Sequence, residues 1–227
     1  MSETLHIHGH PLSQPTRAVL IFSKASGVAH EFHLVDLMKR EHLTEEFARI
    51  NPYQGVPAIT HGTYNLWESA AIVTYIADAF DVDNQWYPKD IKIRGRINAY
   101  LHWHHQGCRE PIAGYLRAKI IGPKFFGAPE LTPEQEAPLR AKFDEFFATF
   151  KWVLSETGFA GRTTTATVAD LFAYSEIAQT IMMGLDLAAY PEVKAWYDRI
   201  GECAIVTEVH ETLRNIVASF HAQAAPE

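Results

Sequence analysis

Hydroxyl and carboxyl side chains stand at two places where the pattern predicts the start of a helix. In "HPLSQPTRAV", Ser13 lies in a proline-flanked turn after a short apolar run, and in "WESAAI", Glu68 and Ser69 lie where a strand passes into a helix. The first N–H groups of a helix form a ready site for an anion, and serine is a preferred residue beside them. A ligand carboxylate on Ser69 and a ligand ammonium on Glu68 would together suit the head group of an α-amino acid.

Each motif also has a purely local explanation. Serine and proline are ordinary turn residues, so Ser13 judged alone is more often a turn residue than a ligand contact. Glu-Ser before a helix usually serves capping only. A third motif, "GVPAI", starts a strand with Pro57, where a missing N–H matters little and the preceding peptide bond can be cis.

A small α/β unit is predicted to position these motifs over roughly the first 80 residues. Leu5 and Ile7 share one face of its first strand, and His6 and His8 share the other. The predicted strands are Thr4–His8, His30–Val35, Val56–Thr60 and Thr63–Leu66, and the predicted helices are Pro15–Ser26, Leu43–Ile50 and Ser69–Phe80.

The rest of the chain predicts an all-helical unit. The polar stretch "DVDNQWYPKD" has little periodicity, so we expect one domain over residues 1–82, a linker over 83–89 and a second domain over 90–227. Ile91–Lys119 reads as one long helix that Pro111 and Gly114 bend or interrupt. Capping boxes at Thr132 and Thr167 begin helices to about Ser155 and Met183, and further helices are predicted at Glu192–Ile200 and Ile205–His221.

Composition narrows the class of partner. The 227 residues carry 20 Lys and Arg against 27 Asp and Glu, a net charge of −7 that gives no general attraction to nucleic acid or anionic membrane. Cys108 and Cys203 form no CxxC motif, so neither a disulfide framework nor a structural zinc site is predicted. Without an apolar stretch of membrane-spanning length or a secretory signal pattern, we expect a cytoplasmic protein.

Histidines raise the question of a metal. His6, His8 and His10 alternate along a predicted strand, but we expect no acidic residue or cysteine near them to complete a site. His102 and His105 share a helix face, where lining a cleft or contacting substrate is the plainer explanation. We therefore expect no metal site.

Four longer stretches, three of which contain the motifs above, are together more specific than any single motif. They are "LSQPTRAVLIFSKASG", "VDLMKREHLTEEFARINPYQGVPAI", "LWESAAIVTYIADAF" and "TVADL", and with "QWYPKDIKIRGRINAYLHWHH" they extend across nearly the whole chain. In this order and spacing the chain resembles the glutathione transferases, and within them the theta class, which uses a serine near the N-terminus. The resemblance implies a thioredoxin-like N-terminal domain followed by an all-α domain that carries an electrophile pocket.

The resemblance also implies a function. It implies a cytosolic detoxification enzyme that activates the thiol of glutathione, its co-substrate, as a thiolate for attack on small hydrophobic electrophiles such as alkyl halides, epoxides, isothiocyanates and peroxides. It implies a homodimer and no other cofactor. The alternative is a non-catalytic binding or assembly protein of the same fold, which would have no need of Ser13, Glu68, Ser69 and Arg109 together. A cysteine-type thiol transferase is disfavoured because serine stands at position 13.

The resemblance assigns a role to individual positions. Ser13 would hydrogen-bond the glutathione sulfur, with Arg109 near the thiol, and Tyr115 and Phe125 would line the electrophile pocket. The residues expected to bind glutathione are Leu12, Gln14, His42, Gln54, Gly55, Val56, Pro57, Glu68, Ser69 and Gln106.

Two departures from the family pattern lead to further expectations. Gly55 stands where the family often has Lys or Gln, so we expect a weaker anchor for the glycyl carboxylate, with the adjacent Gln54 as a substitute. The sequence ends near Glu227, before the long extension that covers the site in some animal members, so we expect a more open electrophile pocket.

Overall fold

Four strands form one mixed sheet in the computed structural model, which describes residues 3–223 and the side chains of residues 3–219. The strand order is β2-β1-β3-β4, with β1 parallel to β2 and antiparallel to β3. A tight turn at Gly62, with φ of +60°, joins β3 to its antiparallel neighbour β4 in a hairpin. The strands are β1 Leu5–Gly9, β2 His30–Leu34, β3 Ala58–His61 and β4 Tyr64–Trp67.

Helices cover the two faces of this sheet unequally. Leu5 and Ile7 are fully buried in the same core as α1 and α3, whereas His6 and His8 on the opposite face are only half-buried. The opposite face is covered by a short helix whose Phe47 packs with Val35 and Ala58. The helices are α1 Gln14–Ala25, α2 Glu45–Ala48, preceded by a 3₁₀ turn Glu41–Leu43, and α3 Ser69–Ala79.

The long helix predicted from Ile91 is interrupted, as expected, around its proline. Regular α4 ends at His104, and the chain continues in wider π-helical turns through Pro111. Proline has no N–H and its ring collides with the carbonyl four residues earlier, so a wider turn is one way to continue the helix. The segments are α4 Ile91–His104, π-helical His105–Gly114 and Arg117–Ile121, and α5 Gly122–Phe126.

The remaining helices begin where the sequence predicts them. Thr132 caps α6 through the reciprocal box with Gln135. The helix predicted to reach Met183 changes at Gln179 into a 3₁₀ turn. The bounds are α6 Pro133–Thr157, α7 Val168–Ala178, 3₁₀ turns Gln179–Met183 and Leu187–Ala189, α8 Pro191–Gly201 and α9 Ala204–Gln223.

One continuous apolar core joins the sheet to the helices. All 11 residues of α7 are buried, and this helix packs against α1. Trp86 and Tyr87, inside the predicted linker, are buried in the same core, and the Trp86 carbonyl accepts from the Val168 N–H at 2.8 Å. The domain limits at residues 82, 89 and 227 stay predictions, and residues 224–227 lie outside the described residues. No helix in the described part is long and apolar enough to cross a membrane.

The start of α7 rests on one buried carboxylate. Asp170 has no exposed surface and accepts four hydrogen bonds. They come from the Ala160 N–H at 2.8 Å, the Thr167 N–H at 2.9 Å, the Trp196 indole at 2.9 Å and the Thr167 hydroxyl at 3.4 Å. Desolvation raises the pKa of Asp170 while these donors lower it. The carboxylate therefore ties α7 to the preceding loop and to α8.

Replacing Asp170 with alanine should destabilise the fold strongly. Four buried donors would lose their acceptor, and we expect a loss of about 3 kcal/mol in the free energy of unfolding. Urea unfolding followed by circular dichroism measures it. Asp186→Ala is the matched control, since Asp186 is an exposed cap that accepts one bond from Ala188, and we expect a loss of about 1 kcal/mol there. Equal losses in the two variants would contradict the role of Asp170.

Candidate active site

Ser13 occupies the cap position of α1. Its Oγ accepts from the Thr16 N–H at 3.4 Å, and its own N–H donates to the His10 carbonyl at 2.9 Å. Within the described residues the hydroxyl proton has no acceptor, and the side chain is half-buried. The hydroxyl therefore serves the turn through its oxygen and retains a proton that can be donated to an anion at the helix N-terminus.

Glu68, and not Ser69, holds the cap position of α3, which corrects the expectation that Ser69 caps that helix. The helix begins at Ser69, a buried residue, and the Glu68 side chain makes no capping bond. Glu68 has φ of +66°, a conformation that costs a non-glycine residue about 1–3 kcal/mol. Such strain at a helix start, with an exposed carboxylate, is a feature of ligand-binding sites.

His105 brings the helical half of the molecule to Glu68. Its Nε2 lies 3.9 Å from Glu68 Oε2, and the ring is half-buried at the start of the π-helical turns. Burial lowers the pKa of His105, and the Arg109 charge lowers it further while Glu68 raises it. His102 is exposed, and its charge also lowers the pKa of His105; the expectation that the two histidines line a cleft or contact substrate stays a prediction.

Asn51 shapes the loop before β3 and was not singled out from the sequence. It is buried, its amide donates to the Gly55 carbonyl at 2.7 Å, and its side-chain oxygen accepts from the Tyr53 N–H at 2.9 Å. Gln54 takes φ of +55°, and the Val56–Pro57 bond is cis, the isomer that the sequence allowed. Val56 lies just before the residues of β3 that pair with β1 and β4, so its peptide stands at the end of the ladder.

A buried polar cluster lies directly behind Ser13. Arg17 has no exposed surface, and its guanidinium donates to the Pro11 carbonyl at 2.9 Å and to the Ser175 carbonyl at 3.0 Å. Arg17 therefore has a structural role, because it ties the turn before α1 to α7.

Glu176 is the member of this cluster that the sequence analysis missed. Its carboxylate accepts from Gln179 Nε2 at 2.8 Å, and the side chain of Gln14, the neighbour of Ser13, helps to lower its pKa. Arg109 Nε lies 4.0 Å from Glu176 Oε1. The sequence did contain a signal for Glu176, which is the only glutamate of a largely apolar helix. A buried carboxylate needs polar partners, and these must come from other elements.

The electrostatics of Glu176 follow from its burial. Desolvation raises the pKa of Glu176 to about 7, and the charges of Arg109 and Arg17 oppose that rise. The neighbouring Cys108 is buried, and burial raises its thiol pKa well above the ordinary value, in keeping with a packing role.

Three other predicted residues lie outside this cluster. Leu12 packs against the main core and His42 is half-buried in the 3₁₀ turn before α2. Gln106 lines a cleft of about 300 Å³ with Trp103 and Phe146. The roles of these three residues stay predictions.

The two residues expected in the electrophile pocket lie in different surroundings. Tyr115 is buried against Phe143 and donates its hydroxyl to Glu136. Phe125 is half-buried in α5. Their contact with an electrophile stays a prediction.

The histidines on β1 and directly after it have partners that the sequence pattern did not predict. His10 accepts from the Leu12 N–H at 3.1 Å and belongs to the turn. His6, by contrast, lies within 4.8 Å of Glu31 and His33, measured between ligand atoms. The expectation that no acidic partner is near was wrong, because an acid distant in sequence is brought close by the pairing of β2 with β1.

Comparisons with known proteins agree on one family. Residues 3–78 match the model of the glutathione S-transferase N-terminal domain. The chain is 34% identical to mouse glutathione S-transferase theta-1 over 90% of its length and 87% of that protein, and 32% identical to Arabidopsis thaliana glutathione S-transferase T1 over 95% and 91%.

Solved structures give the same picture. The apo form of human glutathione S-transferase T1-1 superimposes with a TM-score of 0.85 at 32% identity, covering 92% of this chain and 88% of that one. Human glutathione transferase theta-2, solved in complex with glutathione and an unknown ligand, gives a TM-score of 0.85 at 28% identity, covering 98% and 92%.

The buried Glu176 carboxylate should make stability depend on pH. Its pKa of about 7 in the fold lies above the ordinary value of 4.5, so the folded state binds more protons between these limits and stability falls as pH rises through them. Between pH 5 and pH 8 the ionisation of this group should lower the free energy of unfolding by about 2–3 kcal/mol. The charged and titratable neighbours of Glu176 are Arg17 on α1, Tyr100 on α4, and Arg109 and Cys108 on the π-helical turns.

Glu176→Gln should remove that part of the pH dependence. Urea unfolding of both proteins at pH 5 and pH 8 measures it, and the variant should gain stability relative to the original chain as pH rises. Glu202→Gln, an exposed acid after α8, is the matched control and should follow the original chain. A constant difference between the Glu176 variant and the original chain at both pH values would contradict the assignment.

Proposed function

The chain belongs to the glutathione S-transferase family and resembles its theta class, and from that premise we propose that Ser13 activates the glutathione thiol. The activity is transfer of glutathione to electrophilic substrates. The observation that carries the proposal is the divided role of Ser13, whose oxygen caps α1 while its proton finds no acceptor among the described residues.

The proposed chemistry is stabilisation of a thiolate. A free thiol has a pKa near ~8.5 and is mostly protonated at neutral pH, whereas the thiolate is the nucleophile. A hydroxyl that donates to sulfur, at the positive end of α1, favours the charged form. The thiol proton leaves to solvent, the sulfur forms a bond to the electrophilic carbon, and a leaving group such as halide departs with its electron pair. No covalent bond to the protein is needed.

Arg109 is the proposed source of further positive charge near the sulfur. Its guanidinium is half-buried and lies 4.0 Å from the Glu176 carboxylate. We propose that Glu176 positions Arg109, since the Gln14 side chain beside Ser13 acts on the same carboxylate and lowers its pKa. Glu176 would thereby link the two groups that face the sulfur.

Glu68 and Ser69 are the proposed anchor for the γ-glutamyl end of glutathione. The side chain of Glu68 is 64% exposed, so its carboxylate is available to a ligand ammonium. The strained backbone of the residue places this side chain at the start of α3. The first N–H groups of α3, with Ser69, would receive the ligand carboxylate. Val56 would pair its backbone with the cysteinyl part, and Gln54, Gly55 and His42 would face the glycyl end.

The finer points of the function rest on the resemblance. We propose small hydrophobic electrophiles as substrates, namely alkyl halides, epoxides, isothiocyanates and peroxides. A homodimer and a cytoplasmic location stay predictions. No observation favours the alternative of a non-catalytic binding or assembly protein, and retention on glutathione resin without turnover of a halonitrobenzene or phenethyl isothiocyanate would be the result in its favour.

Ser13→Ala should lower turnover far more than glutathione affinity. Loss of one hydrogen-bond donor to the reacting anion, here the glutathione thiolate, lowers kcat on the order of 100-fold. Steady-state kinetics with phenethyl isothiocyanate give kcat, and the absorbance of the bound thiolate gives the pH at which the thiol ionises, which should rise. Ser13→Thr keeps the hydroxyl and should restore part of the activity.

Ser26→Ala is the matched control for Ser13. It lies at the other end of α1, and its hydroxyl is buried without a partner among the described residues, so its removal should leave kcat unchanged. If Ser13→Ala retains full turnover, or if its bound thiol ionises as readily as before, the proposed role of Ser13 is wrong.

Glu68→Gln should weaken glutathione binding roughly 10-fold, because a charge-assisted bond to the ligand ammonium becomes a neutral one. Isothermal titration calorimetry measures it. A glutathione analogue that lacks the α-amino group should bind equally to both proteins, since the lost interaction is absent from both complexes. If the analogue suffers the same 10-fold loss, Glu68 acts on something other than the ammonium.

A further inference from the structure

A cluster of metal-ligating side chains lies on the outer face of the sheet, away from the proposed glutathione site. Strands β1 and β2 are parallel, with His6 opposite Glu31 and His8 opposite His33. Because side chains alternate along a strand, these four lie on one face. It is the face opposite to the buried Leu5 and Ile7.

The ligand atoms stand at the separations that a metal ion would need. His6 Nδ1 is 2.9 Å from His33 Nε2 and 3.3 Å from Glu31 Oε2, and His33 Nε2 is 3.9 Å from Glu31 Oε2. A tetrahedral ion with bonds of 2.0–2.1 Å places its ligand atoms about 3.3 Å apart. The three observed separations lie on both sides of that value, so small side-chain rotations suffice.

From this geometry we propose that His6, Glu31 and His33 form a binding site for a zinc-like divalent transition metal. Two imidazole nitrogens and one carboxylate oxygen are a ligand set that zinc accepts, with the fourth position open to water. The two nitrogens disfavour calcium and magnesium, which prefer oxygen ligands.

The cluster is rigid as well as close. All three residues lie on paired strands, and the His8 ring stacks on His33 with centroids 4.9 Å apart while His8 Nε2 bonds Thr60 Oγ1 at 3.2 Å. Ligands held on strands by packed neighbours are better preorganised than ligands on loops.

The site is open to an incoming ion. The side chains of His6, His33 and Glu31 are 32%, 44% and 63% exposed. The four-residue helix α2 packs at the other end of the face, around Val35 and Ala58. A bound ion would join β2, which lies at the edge of the sheet, to β1 and would stabilise the fold by mass action.

Zinc titration of the full chain tests the proposal. Isothermal titration with zinc chloride should show one saturable equivalent, and zinc should raise the Tm. His6→Ala, His33→Ala and Glu31→Gln should each weaken the affinity by about 10-fold or more. Cobalt(II) in place of zinc should give the strong visible absorption of a four-coordinate site, and that absorption should be lost in His33→Ala.

His30→Ala is the matched control. His30 lies on the same strand, bonds the Val28 carbonyl and falls on the other face, so its removal should leave zinc affinity unchanged. Circular dichroism checks the folding of each variant, and the exposed Glu31→Gln gives a second test should His6→Ala not fold. The proposal would be overturned if zinc showed no saturable binding. It would also be overturned if zinc affinity were unchanged in all three ligand variants and lost in a His102→Ala, His105→Ala double variant.

Discussion

The burial of Arg17 and Glu176 between α1 and α7 is the interaction on which the geometry of the site depends. A buried charge costs several kcal/mol unless partners compensate it, so each group must find them in the neighbouring element. Arg17 finds the carbonyls of Pro11 and Ser175, and Glu176 finds Gln14, Gln179 and the nearby Arg109. These contacts hold the start of α1, and with it Ser13, in one position against the helical half of the chain.

With this buried pair fixed, the site consists of the starts of two helices, α1 and α3, and of the π-helical turns that follow α4. Ser13 stands before α1, Glu68 before α3, and His105 with Arg109 on π-helical turns that a regular helix would not provide. The wider turns coincide with Pro111, and the strained backbone with Glu68. Departures from regular backbone thus accompany the residues proposed to bind and activate glutathione, as is usual where binding outweighs local stability.

Most elements and their ends were predictable, because the signals are local. Alternation in β1, the glycine after α1 and the capping boxes of α6 and α7 act within one or two turns of chain. Ser13 was identified from its position before a helix and from the resemblance. Glu176 was not, because its partners stand up to 162 positions away in the chain at Gln14, and no local pattern records them. The start of α3 at Ser69 was predicted correctly, but its cap was assigned to Ser69 instead of Glu68, because a positive φ at Glu68 is not visible in a sequence.

By itself, therefore, the sequence determined the order of strands and helices, the family and the residue types available for chemistry. Only the tertiary structure decided which of them meet: His105 with Glu68, Arg109 with Glu176, and His6 with Glu31 and His33 across a parallel pair of strands. The physical reason is that periodicity and capping are short-range properties of the chain. Strand pairing and helix packing bring together residues whose separation along the chain carries no information about their distance in space.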